Sequence, residues 1–186
     1  DKPLGLSSNA ALQKARQLFG RAKAGHTGTL DPLATGLLPI CFGDATKFSY
    51  SLLDADKTYE ATVRLGFESA TGDAEGKIVR HRMPDVGQRQ LEQVLGLFSG
   101  PILQIPPMHS ALKKGGRPLY EYARAGEEVV RESREVIIKE IQLINYKEDI
   151  VKLRVRCSKG TYIRVLAQDI GKSLGCGGYL RDLRRT

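Results

Sequence analysis

The sequence has little cysteine, little histidine and no long apolar run, and each shortage closes a class of function. Its three cysteines, Cys41, Cys157 and Cys176, are odd in number and show no CxxC spacing. That argues against a disulfide framework and a zinc ribbon, and it fits a reducing cytoplasm. His26, His81 and His109 are too scattered to nominate a metal site. No apolar run approaches the ~18 residues needed to span a bilayer, and GLLPICFG is broken by Pro39. The glycine-rich stretch GHTGTLDPLATG, residues 25–36, has neither a P-loop lysine nor the GxGxxG pattern, which argues against nucleotide loops. There is no GxSxG elbow. A glycosidase wants two carboxylates, and the nearest acid to Asp31 is the unremarkable Asp44.

What is present is one sizeable core and a surplus of positive charge. With 186 residues and 41% hydrophobic content, the chain is expected to form a single domain. The 29 Lys+Arg against 21 Asp+Glu leave a net charge of +8, which favours a polyanionic partner, most often nucleic acid. The sequence opens at Asp1 without a methionine and stops on RDLRRT, so both ends are expected to continue in a longer protein.

Periodicity places the elements. NAALQKARQLF sets Leu12, Ala15, Leu18 and Phe19 at helical spacing, with Ser7, Ser8 or Asn9 as N-cap. LLPICFGDATKF reads as a buried strand beneath the glycine-rich loop. KTYEATVRLGF alternates through Tyr59, Ala61, Val63, Leu65 and Phe67, as a half-buried strand does. ATGDAEGKIV returns as a hairpin, and QLEQVLGLF is again helical. Residues 101–135 lose periodicity and collect prolines, glycines and six Lys or Arg from Lys113 to Arg134, the mark of a functional or mobile segment. VIIKEIQLINY and IVKLRVRC read as paired strands, and SKGTYIRVLAQDIGKSLG as a turn into a helix ended by glycine. Strands and helices without a βαβ rhythm predict an α+β domain around a largely antiparallel sheet.

The question in the glycine-rich loop is why Asp31 is held there. Followed by Pro32, it reads as a helix N-cap accepting from backbone N–H groups of the next turn. A catalytic carboxylate is compatible with that position. Tyr162 and Arg164 lie in KGTYIR, where a strand gives way to a helix and side chains face clefts, and Tyr59 opens the alternating strand. Each also has a plain reading: Tyr59 as strand core, Arg164 as a surface charge, His26 as a solvated loop residue.

These same residues carry a resemblance. DKPLGLSS, GHTGTLDPLATGLLPICFGDATKF, DKTYEATVRLG, IPPMHSALKKGGRPLYEYARAGEEV, CSKGTYIR and LRRT resemble, in order and over nearly the whole chain, segments of the TruB family of bacterial tRNA pseudouridine-55 synthases. The resemblance implies the pseudouridine synthase fold: a largely antiparallel mixed β-sheet with flanking helices and a basic thumb insertion at about residues 104–133. It implies catalytic roles for Asp31, for Arg164 as the aspartate's partner and for Tyr59 as the ring stacked on the target base. His26 would hold the T loop open, Tyr162 and Leu183 would line the pocket, and Lys159, Lys113, Lys114 and Arg117 would meet the RNA. The implied reaction breaks the C1′–N1 bond of a flipped-out T-loop uridine, turns the base and rejoins it through C5, with no cofactor and no metal. The implied partner is the tRNA T arm, bound by a monomer in the cytoplasm; the alternative is a tRNA-folding chaperone without catalysis. In that family a C-terminal PUA-type domain follows and a first strand precedes, and neither is in this chain. Arg164 and N–H donors at a helix start are expected to lower the pKa of Asp31.

Overall fold

A computed structural model describes residues 1–186. Its centre is a six-stranded mixed sheet in the order β2 (Ala34–Gly36), β12 (Gly178–Arg185), β4 (Lys57–Leu65), β11 (Ile150–Cys157), β10 (Arg134–Lys147) and β7 (Gly100–Gln104). Every pair is antiparallel except β2 with β12. The alternation read in residues 57–65 and 150–157 is what builds it: Ala61, Val63, Leu65, Val151, Leu153 and Val155 all turn to one face and are buried. Burying a Leu or Val of this kind contributes about 1.5–3 kcal/mol.

Helix α5 (Ile163–Ser173) closes that face through Ile163, Leu166, Ala167 and Ile170, and α3 (Gln88–Gly96) adds Leu91 and Leu95 beside β10. Gly171 sets how close α5 lies: a Cβ there would run into the backbone of Gly177 and Gly178, where β12 begins. The last turn of α5 therefore rests directly on the sheet. As expected, the 70–79 segment turns back as a hairpin, β5 (Phe67–Ser69) with β6 (Ile78–Arg80).

Several expectations need correction. Helix α1 (Ser8–Leu18) forms with Ser7 as its N-cap, accepting from Ala10 N–H. Only part of its apolar face is core: Leu12 is buried, while Leu18 is 83% and Phe19 62% exposed, and Phe19 instead meets the Phe42 ring at 4.7 Å. LLPICFG is no buried strand; β3 (Ile40–Phe42) is half-exposed and pairs with β1 (Ala24–His26) in a two-stranded sheet outside the core. A 3₁₀ turn over Gly43–Phe48 and short α2 (Ser49–Asp54) follow. Phe67 leaves the alternation to join β5. The segment read as aperiodic contains β7, a small hairpin of β8 (Lys113–Lys114) with β9 (Arg117–Pro118), and α4 (Leu119–Arg124), whose Leu119 is fully buried.

Candidate active site

Asp31 lies on the loop between β1 and β2, and both sides of it are fixed. The buried Ser8 hydroxyl accepts from Leu30 N–H at 2.8 Å and donates to Leu30 C=O at 3.0 Å. On the other side, Ala34 N–H donates to Asp31 C=O at 3.0 Å, closing a β-turn with Pro32 at its second position. Lys2, buried, donates to the carbonyls of Leu6, Pro3 and Pro32 and ties the N-terminal segment to the same turn. No helix follows Asp31. The N-cap reading is therefore wrong: Pro32 presets a turn into a strand.

Arg164, in the first turn of α5 and 5% exposed, reaches across to this loop. Its Nη2 stands 3.0 Å from Asp31 Oδ2 and 3.2 Å from Oδ1, and also donates to the carbonyl of His109 at 2.8 Å. Its Nη1 meets Asp73 Oδ2 at 3.4 Å. Arg164 is thus shared between two carboxylates, one in the site and one behind it. Asp73 itself is 2% exposed and accepts from the Thr71 hydroxyl and Glu75 N–H.

The expected pKa direction for Asp31 is reversed. Burial of the carboxyl pushes it up; Arg164 opposes the rise, and Asp73 adds to it. Without helix-start N–H donors, desolvation outweighs one arginine that already serves a second acid.

Asp31 and Arg164 line a cavity of about 290 Å³ together with Tyr59, Tyr162, Leu183 and Lys159. Tyr59 comes from β4, and burial raises its phenol pKa. Tyr162 is clamped at the start of α5, where the Gln104 side chain accepts from its N–H at 3.0 Å and donates to its C=O at 3.2 Å. Lys159 sits at the rim, its ammonium 2.8 Å from Asp54.

The other candidates stand apart from this cavity. His26 ends β1 and is absent from the cavity wall; burial and then Arg185 lower its pKa, so it is neutral at pH 7. Lys113, Lys114 and Arg117 belong to the β8–β9 hairpin. Lys114 donates to Val130 C=O, while Arg117 pairs with Glu121 and Glu127 and lies over the Tyr122 ring at 4.3 Å. Arg117 is therefore partly neutralised within its own segment.

The structure adds Asp73, Arg185, Lys57 and Gln104 to the site. Asp73 reads as an ordinary turn residue in TGDAEG, and nothing local to the sequence distinguishes it. Arg185 had a weak signal in LRRT.

The fold and site define an enzyme-like domain: a mixed sheet with a buried arginine aimed at a strapped-down aspartate in a nucleoside-sized cavity. Similar folds occur in the "Crystal Structure of a Cbf5-Nop10-Gar1 Complex" (TM-score 0.78, 32% identity, covering 100% of this chain and 46% of that one). They also occur in the "Structure of H/ACA RNP bound to a substrate RNA containing 2'-deoxyuridine" (TM-score 0.74, 30% identity, covering 100% and 45%). Residues 16–163 match the sequence model described as TruB family pseudouridylate synthase (N terminal domain), and the chain belongs to that family. Among its relatives are proteins named tRNA pseudouridine synthase B from Dechloromonas aromatica (strain RCB), 64% identical over 185 residues, and from Azoarcus sp. (strain BH72), 61% identical over 186. Each alignment covers 100% of this chain and 62% of the relative, so the chain spans about three fifths of their length. No helix is long and apolar enough to cross a membrane.

Proposed function

We propose that this chain carries the catalytic centre for isomerising a T-loop uridine of tRNA to pseudouridine, with Asp31 as the catalytic carboxylate. The observation that carries this is the Asp31–Arg164 pair opening into a 290 Å³ cavity, small enough to select one extruded nucleoside. The family membership and the names of the relatives support the same reaction.

The chemistry follows from the residues. Taking the uridine out of the loop stack costs a few kcal/mol, and the Tyr59 ring offsets part of it by stacking. Asp31 acts ionised, by attack at C1′ or by removing the C2′ proton. Burial makes its carboxylate a stronger base than a solvated one, and the Arg164 charge opposes that rise. Leu30, Leu180 and Leu183 form apolar wall around the opened bond, where water would divert the reaction. His26, beside the cavity rather than in it, faces the emptied loop. Residues 104–133 act as a thumb over the RNA, joined to the centre through the His109 carbonyl on Arg164. The reaction is redox-neutral and calls on no cofactor, and the working form is a cytoplasmic monomer.

Incubation with a T-arm transcript tests this by counting pseudouridine. The wild-type protein is expected to form product and Asp31→Asn none, with RNA binding retained. Product from Asp31→Asn at a few per cent of the normal rate overturns the assignment. Binding by the wild type without any product leaves the chaperone reading in its place.

A further inference from the structure

Two cations in the cavity wall make no ion pair. Arg185, at the end of β12, is 4% exposed and makes no ion pair. Its Nε donates to Leu37 C=O at 2.6 Å and its Nη2 to Gly28 C=O at 3.2 Å, and the Tyr59 hydroxyl lies close to the same guanidinium. Lys57, at the start of β4, is held by the carbonyls of Leu52, Leu53 and Ala55 at 2.5 to 3.2 Å and makes no ion pair, although Asp54 and Asp56 lie near enough to act on its charge. Carbonyls satisfy their hydrogen bonds but carry no formal charge; Asp54 and Asp56 offset part of the Lys57 charge, and Arg185 is left without an acid partner. The other cavity cations differ: Arg164 has Asp31 and Asp73, and Lys159 has Asp54.

Three features hold this pair together. The β4–β12 register sets Arg185 opposite Tyr59, so guanidinium and phenol share one wall. Gly28 lies over both cations: at φ +78°, a Cβ there would come 3.1 Å from Arg185 Nη1 and 3.9 Å from Lys57 Cε. That explains a glycine of GHTGTLD that the carboxylate chemistry leaves unused. The loop is bare at this position because a guanidinium passes beneath it. Burial, and next the charge of Arg185, hold the Lys57 ammonium below its ordinary pKa, with Asp54 and Asp56 opposing the fall. A buried cation is ordinarily paired, and Arg185 is buried without an acid, so the wall around it suits an anion that arrives from outside.

We propose that Arg185, backed by Lys57, seats the phosphodiester adjoining the uridine that enters the cavity. This rests on the RNA-substrate reading above and adds to it a charged subsite on the wall that carries Tyr59. A phosphate, rather than a carbonyl of the base, is the complement of a buried guanidinium that has no acid partner and stands beside an ammonium.

The test places a neutral methylphosphonate linkage singly on the 5′ or the 3′ side of the target uridine in a T-arm stem-loop, and measures binding at several salt concentrations. One of the two linkages is expected to weaken binding by the wild-type protein about tenfold and to lower the slope of log K against log[salt] by roughly one unit. Arg185→Gln should lose the same factor with unmodified RNA and nothing further with the neutral linkage. If Arg185→Gln does not fold, the two linkages with the wild type and with Lys57→Met make the same comparison. The subsite is overturned if neither linkage alters binding, or if the losses from linkage and substitution multiply in full. Binding and turnover of the unmodified stem-loop by the wild type, measured alongside, decide the RNA reading separately.

Discussion

Replacing Asp73 by Asn should damage the fold more than replacing Asp31 by Asn, although Asp31 is the residue that opens on the substrate. Asp73 is 2% exposed and its partner Arg164 5%, so their contact at 3.4 Å is out of water on both sides. The amide introduced by Asp73→Asn cannot serve both neighbours. With its oxygen toward Thr71 and Glu75 N–H, its NH2 faces the guanidinium; with the oxygen toward Arg164, NH2 faces the Glu75 N–H donor. Removing one partner of a buried pair costs about 3–5 kcal/mol. Arg164 keeps Asp31 and the His109 carbonyl, which sets the expectation at the low end, about 3 kcal/mol. At roughly 2–4 °C per kcal/mol for a domain of this size, the melting temperature should fall by about 6–12 °C. Asp31 is 37% exposed on its side chain, so its pair is screened, and Asp31→Asn should shift stability by no more than about 1 kcal/mol. Urea unfolding of both variants at pH 7 checks the ranking. A loss below about 1 kcal/mol for Asp73→Asn, or a larger loss for Asp31→Asn, refutes the view that Asp73 is the structural half of this arrangement.

Other outcomes follow from the same geometry. Because partial burial raises the pKa of Asp31, the acid limb of single-turnover activity should lie above the ordinary Asp value of about 3.9, and a limb at or below that value contradicts a desolvated carboxyl. By linkage, a raised carboxyl pKa makes the ionised form costly to fold. That cost is absent below the unfolded value and appears as pH rises through it, so Asp31→Asn should gain relative to the wild type between acidic and neutral pH; a flat difference refutes it. Arg164→Lys should slow single-turnover chemistry about 100-fold despite its charge, since an ammonium cannot span Asp31, Asp73 and the His109 carbonyl together; near-normal rates would remove Arg164 as the group orienting Asp31. Tyr59→Phe keeps the ring and Tyr59→Leu does not: loss with Leu alone marks stacking, loss with both marks the hydroxyl, and loss with neither returns Tyr59 to strand core. Trypsin should cut the free protein at Lys113, Lys114 and Arg124, with a saturating T-arm stem-loop protecting those sites; equal cleavage with and without RNA refutes the thumb.

The sequence by itself determined the parts whose signal is local. Alternation over residues 57–65 and 150–157 specified the central strands, because a period of two leaves only one face to bury. The strand-to-helix junction at KGTYIR placed Arg164 at the opening of α5, and the motifs carried the family. Three things were decided only by tertiary structure. The environment of Asp31 was one: a Pro after an Asp suits a helix start and a β-turn alike, and the choice went to the turn because Ala34–Gly36 had β12 to pair with. The strand β12 was another, since Tyr179, Leu180, Leu183 and Arg185 are buried in a stretch, GYLRDLRR, whose charges and bulge hide its alternation. The last was which charges are paired. Asp73 and Arg164 are 91 positions apart and Gly28 and Arg185 are 157 apart. An ion pair or an unpaired buried cation depends on distances through space, which no local pattern of residues encodes.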